Sequence, residues 1–324
     1  MRGLRLGLWL AGLVVFAGAA GASAAPFAYI ANSVSNNVSI LDVATNTVVA
    51  TVPVGHLAQG AAVTPNGSRV YVTNTVDNTV SVIATTTHKV VARVPVGVRP
   101  IGVAVTPNGL RAYVANIGSS TVSVINTATN RVVATVGEGP NPLGVAVTPD
   151  GSHVYVANWS NTSTLGSVGV ISTATNTVVD TVIASGLNPV GVAVTPDGSH
   201  VYATNYAEGT VSVIDTATNL VMGTVLMGFN PEGLAVTPDG AHVYVTNTGE
   251  NSVSVIATAT NLALTAVSVG HYPQGVAVTP DGSRVYVANT NDNTVSVIAT
   301  ATNTVVATVH VGNGPIAFGK FIGP

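Results

Sequence analysis

Apolar residues fall in short runs rich in valine, each closed off by Gly, Pro, Asn, Asp or Thr. The stretch from Gly102 shows the pattern: GVAVTPNG, LRAYVAN, STVSVIN, TATN, RVVATV. β-Branched runs of this length, bounded by turn residues, predict four strands, here called A to D. The A-to-B connection is Thr-Pro-(Asn/Asp)-Gly, in which proline presets φ, Asn or Asp bonds its own backbone and glycine takes the positive φ. The C-to-D connection is Thr-Ala-Thr-Asn, with Asn130 and Asn219 suited to the left-handed region. The D-to-A connection carries glycine and usually proline, as in Gly97-Val98-Arg99-Pro100.

The unit recurs. A tetrapeptide from tyrosine to asparagine starts at Tyr29, Tyr71, Tyr113, Tyr155, Tyr202, Tyr244 and Tyr286, at intervals of 42, 42, 42, 47, 42 and 42 residues. Runs such as Val103-Ala104-Val105 and Tyr113-Val114-Ala115 are apolar on both sides, so both faces of each small sheet must be covered. Four-stranded sheets packed face to face around an axis meet that demand, and their usual period is ~40 to 50 residues. The ends are out of phase in a complementary way. Phe27 to Asn32 is a strand B without an A, and Gly314 to Phe318 is a strand A without a B. The expected fold is therefore all-β: a single seven-bladed β-propeller over residues 26–324, with four antiparallel strands per blade. It closes by pairing the C-terminal strand A with the N-terminal strands B to D, which also protects sheet edges.

The motifs Tyr71-Val72-Thr73-Asn74 and Tyr244-Val245-Thr246-Asn247, joined to Ala-Val-Thr-Pro-(Asn/Asp)-Gly, resemble the YVTN-repeat β-propeller family over residues 27 to 324. The resemblance implies a seven-bladed propeller of the kind found in secreted and cell-surface proteins of bacteria and archaea, surface-layer proteins among them. It implies little about chemistry. The 47-residue interval departs from the pattern by inserting Trp159 to Leu165.

Composition narrows the setting. Charged residues are 7% of the chain against ~25% in typical domains, and net charge is −3. That leaves no basic stripe for phosphates, so nucleic acid is excluded as a partner. Arg2 and Arg5, the apolar run Leu6 to Ala20 and the small residues Ala22-Ser23-Ala24 form the pattern of a signal peptide over residues 1–25, cleaved near Ala24 or Ala25. The apolar run is shorter than the ~20 residues of a membrane span, so the mature chain is expected to have no transmembrane segment. It is expected to be secreted, periplasmic or at the cell surface. There are no cysteines, which removes disulfides and thiol catalysis.

Comparing the internal copies separates scaffold from candidate site. A-to-B and C-to-D turns scarcely vary, whereas B-to-C and D-to-A loops, which share the opposite face of a propeller, vary most. The residue before each strand-A glycine is Gln59, Ile101, Leu143, Val190, Glu232 and Gln274 in turn, and Ile316 holds that slot before Ala317, so it is polar at three of seven places. Glu232 and Gln274 belong to consecutive blades. With Trp159, Tyr206, Glu208, Phe229, His271, Tyr272 and His56 they make one sector rich in recognition-type side chains, the candidate binding site. His153, His200 and His242 hold a slot filled elsewhere by Arg69, Arg111 and Arg284, so they are strand-start residues, and no zinc-ligand spacing occurs. Asp150, Asp197, Asp239 and Asp281 exchange with Asn66 and Asn108 at the turn, which marks turn chemistry. No serine-nucleophile elbow, phosphate-binding loop or cofactor motif is present, so no catalytic residue, metal or cofactor is assigned.

These observations favour a secreted, non-catalytic binding module that offers its variable face to a protein, glycan or surface polymer. The alternative is an extracytoplasmic propeller enzyme of lactonase, lyase or oxidoreductase type, with Glu232, His271, Gln274 and His56 as acid, base and positioning groups. A structural surface-layer role is the third reading.

Overall fold

The computed structural model describes residues 26–160, 166–183 and 186–323. The expected signal peptide and residues 161–165 of the insertion lie outside them. The described residues form strands and turns, and among them no helix is long and apolar enough to cross a membrane. Six sheets have four antiparallel strands. In the second blade strand A is Ala58–Val63, B is Arg69–Asn74, C is Thr79–Ala84 and D is Lys89–Pro95. Strand A thus begins two residues before the glycine that marks it in the sequence.

The first sheet has three strands of its own, Phe27–Asn32, Asn37–Asp42 and Thr47–Pro53. The C-terminal segment completes it. Ile316 N–H donates to Ala31 O at 2.9 Å, Tyr29 N–H to Phe321 O at 2.9 Å and Gly323 N–H to Phe27 O at 3.1 Å. The chain is a closed seven-bladed β-propeller. Its last strand A is irregular, however. Eight residues, Pro315 to Ile322, face the five from Asn32 to Ala28, whereas in the preceding blade Pro273 to Val278 face Asn289 to Val285. The two additional residues turn inward, with Ala317 at φ 53° and Gly319 at φ 114°. Phe318 and Lys320 then bond along the second blade, as Ala61 N–H donates to Phe318 O and Val63 N–H to Lys320 O.

The repeated tetrapeptide works as a clamp. Each tyrosine is buried, and in all but Tyr29 its hydroxyl reaches the left-handed asparagine of the C-to-D turn in the next blade. Tyr155 reaches Asn219 at 2.8 Å and Tyr244 reaches Asn303 at 2.8 Å, while Tyr286 crosses the seam to Asn46 at 2.6 Å. Opposite Tyr29 that slot holds His88, whose ring packs edge-on against Phe27 at 5.9 Å. The closing asparagine ties strand B to strand C: Asn205 Nδ2 donates to Thr210 and Ser212 hydroxyls, both at 2.9 Å. Apolar clusters fill the gaps between blades, for example Tyr71, Val80 and Val82 against Val103 and Val114. Strand D is the exception to two-sided burial, since nothing lies outside it; in Thr47–Pro53 only Val52 is buried.

The two faces separate as the copy comparison predicts. On one, C-to-D hydroxyls fasten the A-to-B turns, as Thr127 Oγ1 donates to Gly109 O at 2.6 Å. On the other, B-to-C side chains receive linker N–H groups, as Leu57 donates to Asn36 Oδ1 at 2.8 Å.

Candidate functional site at the channel mouth

Strand A carries a bulge at the residue pair that ends in its glycine. In the sixth blade Pro231 pairs with Asn247 and Leu234 with Val245, so three residues step past two. A Cβ on Gly233 would lie 2.1 Å from Gln274 O in the next blade, so only glycine lets the inner strands approach this closely. The bulge turns each pre-glycine side chain into the channel. All seven of these residues line one cavity of about 150 Å³, together with Gly144, Trp159 and Phe318.

Four of the seven are aliphatic, and the polar ones are Gln59, Glu232 and Gln274. Glu232 and Gln274 are buried and joined, with Gln274 Nε2 donating to Glu232 Oε1 at 2.9 Å. The second carboxyl oxygen, Oε2, is buried and has no partner. Burial pushes Glu232 up from 4.5 to about 7, opposed by the Gln274 bond. Behind Gln274, Thr290 Oγ1 lies 2.8 Å from Gln274 Oε1 and 2.8 Å from Pro315 O. One hydroxyl proton serves one acceptor at a time, and two arrangements satisfy these distances. With ionised Glu232, Thr290 donates to Gln274 Oε1 and Gln274 donates to the carboxylate. With neutral Glu232 the amide turns over: the acid donates to Gln274 Oε1, Gln274 donates to Thr290, and Thr290 donates to Pro315 O. In both arrangements Oε2 is left to the mouth as an acceptor, charged in the first and the carbonyl oxygen of a neutral acid in the second.

An aromatic wall stands beside it. Trp159 and Tyr206 are 5.5 Å apart between ring centroids, inclined at 50°. Tyr272, at φ 55° in the next linker, bonds Tyr206; burial, then the charge of Glu232, then Tyr206 push its hydroxyl up to about 12. Trp159, Tyr206, Tyr272, Glu232 and Gln274 are thus brought together. The other four candidates are not. His56 and His271 sit on the outer rim, their Nδ1 atoms 2.8 Å from Asp77 and Asp292. The histidine backbone N–H, then the ring, hold each aspartate below the usual carboxylate range. Glu208 accepts Leu187 N–H in the same rim position. Phe229 points to solvent at 71% exposure. No group of three His, Cys, Asp or Glu converges among the described residues.

Sequence reasoning missed Glu138. It takes a slot held by Val54, Val96, Met227, Val269 and Val311 elsewhere, and Gly169 in turn replaces the strand-C serine of the other copies. A Cβ on Gly169 would collide with the Glu138 carboxyl, so the two exchanges form one change. Glu138 Oε1 accepts Asn158 Nδ2 at 3.0 Å, and burial raises its pKa. It was legible in the copy comparison, because a charged residue at an apolar slot was there to see.

A model of the Lactonase, 7-bladed beta-propeller family matches residues 126–226 and 228–312, more than half of the chain. The chain belongs to that family. A YNCE-like beta-propeller model matches residues 32–163. Among solved structures, Kuenenia stuttgartiensis hydrazine synthase is similar at 25% identity and a TM-score of 0.79, covering 90% of this chain and 99% of that one. A functionally unknown protein from Desulfotomaculum acetoxidans DSM 771 covers the same shares at 17% identity and a TM-score of 0.77, and shows the fold alone. No curated protein matches. Family membership fixes the scaffold, while activity is a matter of the site.

Proposed function

We propose that the protein is a secreted binding module whose loop face docks a glycan or surface polymer, with the channel mouth gripping one terminal unit. The observation that carries this reading is the buried Glu232–Gln274 pair, one oxygen unpartnered, beside the Trp159–Tyr206–Tyr272 wall. Aromatic faces take the apolar face of a sugar while carboxyl and amide groups take its hydroxyls. Size points the same way. Small-molecule sites usually have ~300 to 1,000 Å³, and about 150 Å³ admits an end group of something larger. The leader-like first 25 residues and the YVTN resemblance support an extracytoplasmic setting.

Lactonase-type hydrolysis is the second reading, favoured by the family match and by a carboxyl that titrates near pH 7. Against it, Glu232 is the one titratable group in the cavity lining, and no arginine or lysine lines the mouth beside it. A glycan array probed with the mature protein separates the two. Binding should be lost on Trp159→Ala and on Glu232→Gln with the thermal midpoint not lowered. If no glycan binds and a screened lactone is hydrolysed in a way that Glu232→Gln abolishes, the enzyme reading replaces this one.

A further inference from the structure

Below the mouth the channel widens into a funnel of about 670 Å³ that opens between the A-to-B turns. Phe318 lines both cavities and stands between them. The funnel wall is valine and alanine of the A strands, rimmed by the turn prolines. Its threonine hydroxyls are engaged within their turns, Thr64 with Asn66 and Thr279 with Asp281. Repetition accounts for this wall, because four copies contribute Val-Ala-Val-Thr-Pro and two contribute the same run with Ala61 or Leu234 in first place. It does not account for Lys320. This residue comes from the lengthened closing strand, and it is the only charged residue among those lining the funnel. Its carbonyl is fixed by Val63 N–H at 3.0 Å, and no carboxylate among the described residues pairs with its ammonium.

The backbone is contorted to place it. Gly319 takes φ 114°, a conformation open to glycine alone, and a Cβ there would lie 2.8 Å from both Ala61 O and Val103 O. A strand that only had to close the ring could run as its six copies do. We propose that the funnel is a second ligand site, taking an amphiphile with an apolar tail against the valine wall and one carboxylate on Lys320. The volume lies within the range of small-molecule sites. Valine and alanine side chains make up most of the wall and accept apolar chains. The lone cation, on an exposed side chain at the funnel wall, sets the sign of the head group, and an ionised partner gives the stronger hydrogen bond.

Calorimetric titration of the mature protein with decanoate tests this. Binding of one decanoate is expected, weakened tenfold or more by Lys320→Met. Decanol, with the same tail and no charge, should bind more weakly and be indifferent to Lys320→Met. Ala193→Trp, which fills the funnel, should abolish decanoate binding, whereas Glu232→Gln at the mouth should leave it unchanged. Absence of decanoate binding, equal binding by Lys320→Met, or loss on Glu232→Gln would each overturn the proposal. Should Ala193→Trp fail to fold, the Lys320→Met comparison decides alone, since that side chain bears no bond of the fold.

Discussion

The two ends of the channel are cut from the same seven inner strands and came out differently. The funnel end, bounded by turns that scarcely vary, repeats one apolar wall around the ring. The mouth, bounded by loops that drift between copies, concentrates its polar and aromatic groups in the sector of blades four to seven. The cause is where the fold needs its residues. On the turn side the tyrosine clamp, the threonine latch and the positive-φ glycine leave no position free. On the loop side the scaffold asks only for linker N–H acceptors, which Asp, Glu or Ser supply equally. Specificity can therefore accumulate at the mouth without cost to the ring.

Breaking the neck between the two ends has the largest expected effect. Gly233→Ala sets a Cβ 2.1 Å from a backbone carbonyl that the next blade cannot withdraw. It should destabilise by on the order of 3 kcal/mol or more, read as a lowered urea midpoint. Tolerance of alanine there would mean the inner strands can separate, and both cavities would lose their shape.

The next effect belongs to the mouth alone. Glu232 is raised from 4.5 to about 7, so the folded state holds its proton longer than the unfolded chain. Its contribution is fully present below pH 4.5 and is lost as pH rises from 4.5 through about 7. At about 1.4 kcal/mol per unit, the span is on the order of 3–4 kcal/mol. Glu232→Gln should match the parent at pH 4.5 and exceed it in stability at pH 8. A variant less stable than the parent at pH 8 would show that something in the mouth, such as a bound cation, favours the carboxylate.

Much of this asymmetry was legible in the sequence because the chain carries its own alignment. Tyr155 and Asn219 recur because each needs the other, and the seven pre-glycine residues stood out because a bulge aims them inward. What escaped was set by angle rather than spacing. His56 and His271 share a linker with pocket-lining Gln59 and Gln274, yet their rings turn outward to Asp77 and Asp292, and nothing in one-dimensional order gives that rotation. Phe318 and Lys320 escaped because the closing strand looks like its copies only as far as Ile316, beyond which both its sequence and its register depart.

A smaller effect contrasts the faces directly. Tyr155→Phe removes a hydroxyl from a buried interblade bond and leaves Asn219 Oδ1 behind, for about 1 kcal/mol. Trp159→Ala alters the mouth, where no strand pairing depends on the ring, and should stay within about 0.5 kcal/mol. Thermal midpoints of the two variants measure the difference. Equal losses would make Trp159 part of the scaffold and remove it from the recognition wall.

The smallest effect concerns the acids around the funnel rim. The Thr148 hydroxyl, then the Ser152 N–H, hold Asp150 down to about 2, and Thr195 and Ser199 do the same for Asp197. A lowered carboxylate contributes stability above its unfolded value of 3.8, and that contribution fades as pH falls through about 2. Both groups are exposed, so solvent screens most of it. Asparagine offers the same side-chain oxygen to the following N–H, as Asn66 does for Ser68 at 3.1 Å. The double variant Asp150→Asn, Asp197→Asn should therefore lie within about 0.5 kcal/mol of the parent at pH 7. Below pH 4 it should lose less stability than the parent, because it has no carboxylate left to protonate. Denaturation midpoints at pH 7, 4 and 2.5 distinguish this from a rim acid with another task. A large loss at pH 7 would mean that these carboxylates hold something besides their own turn, and the A-to-B turns would no longer be scaffold alone.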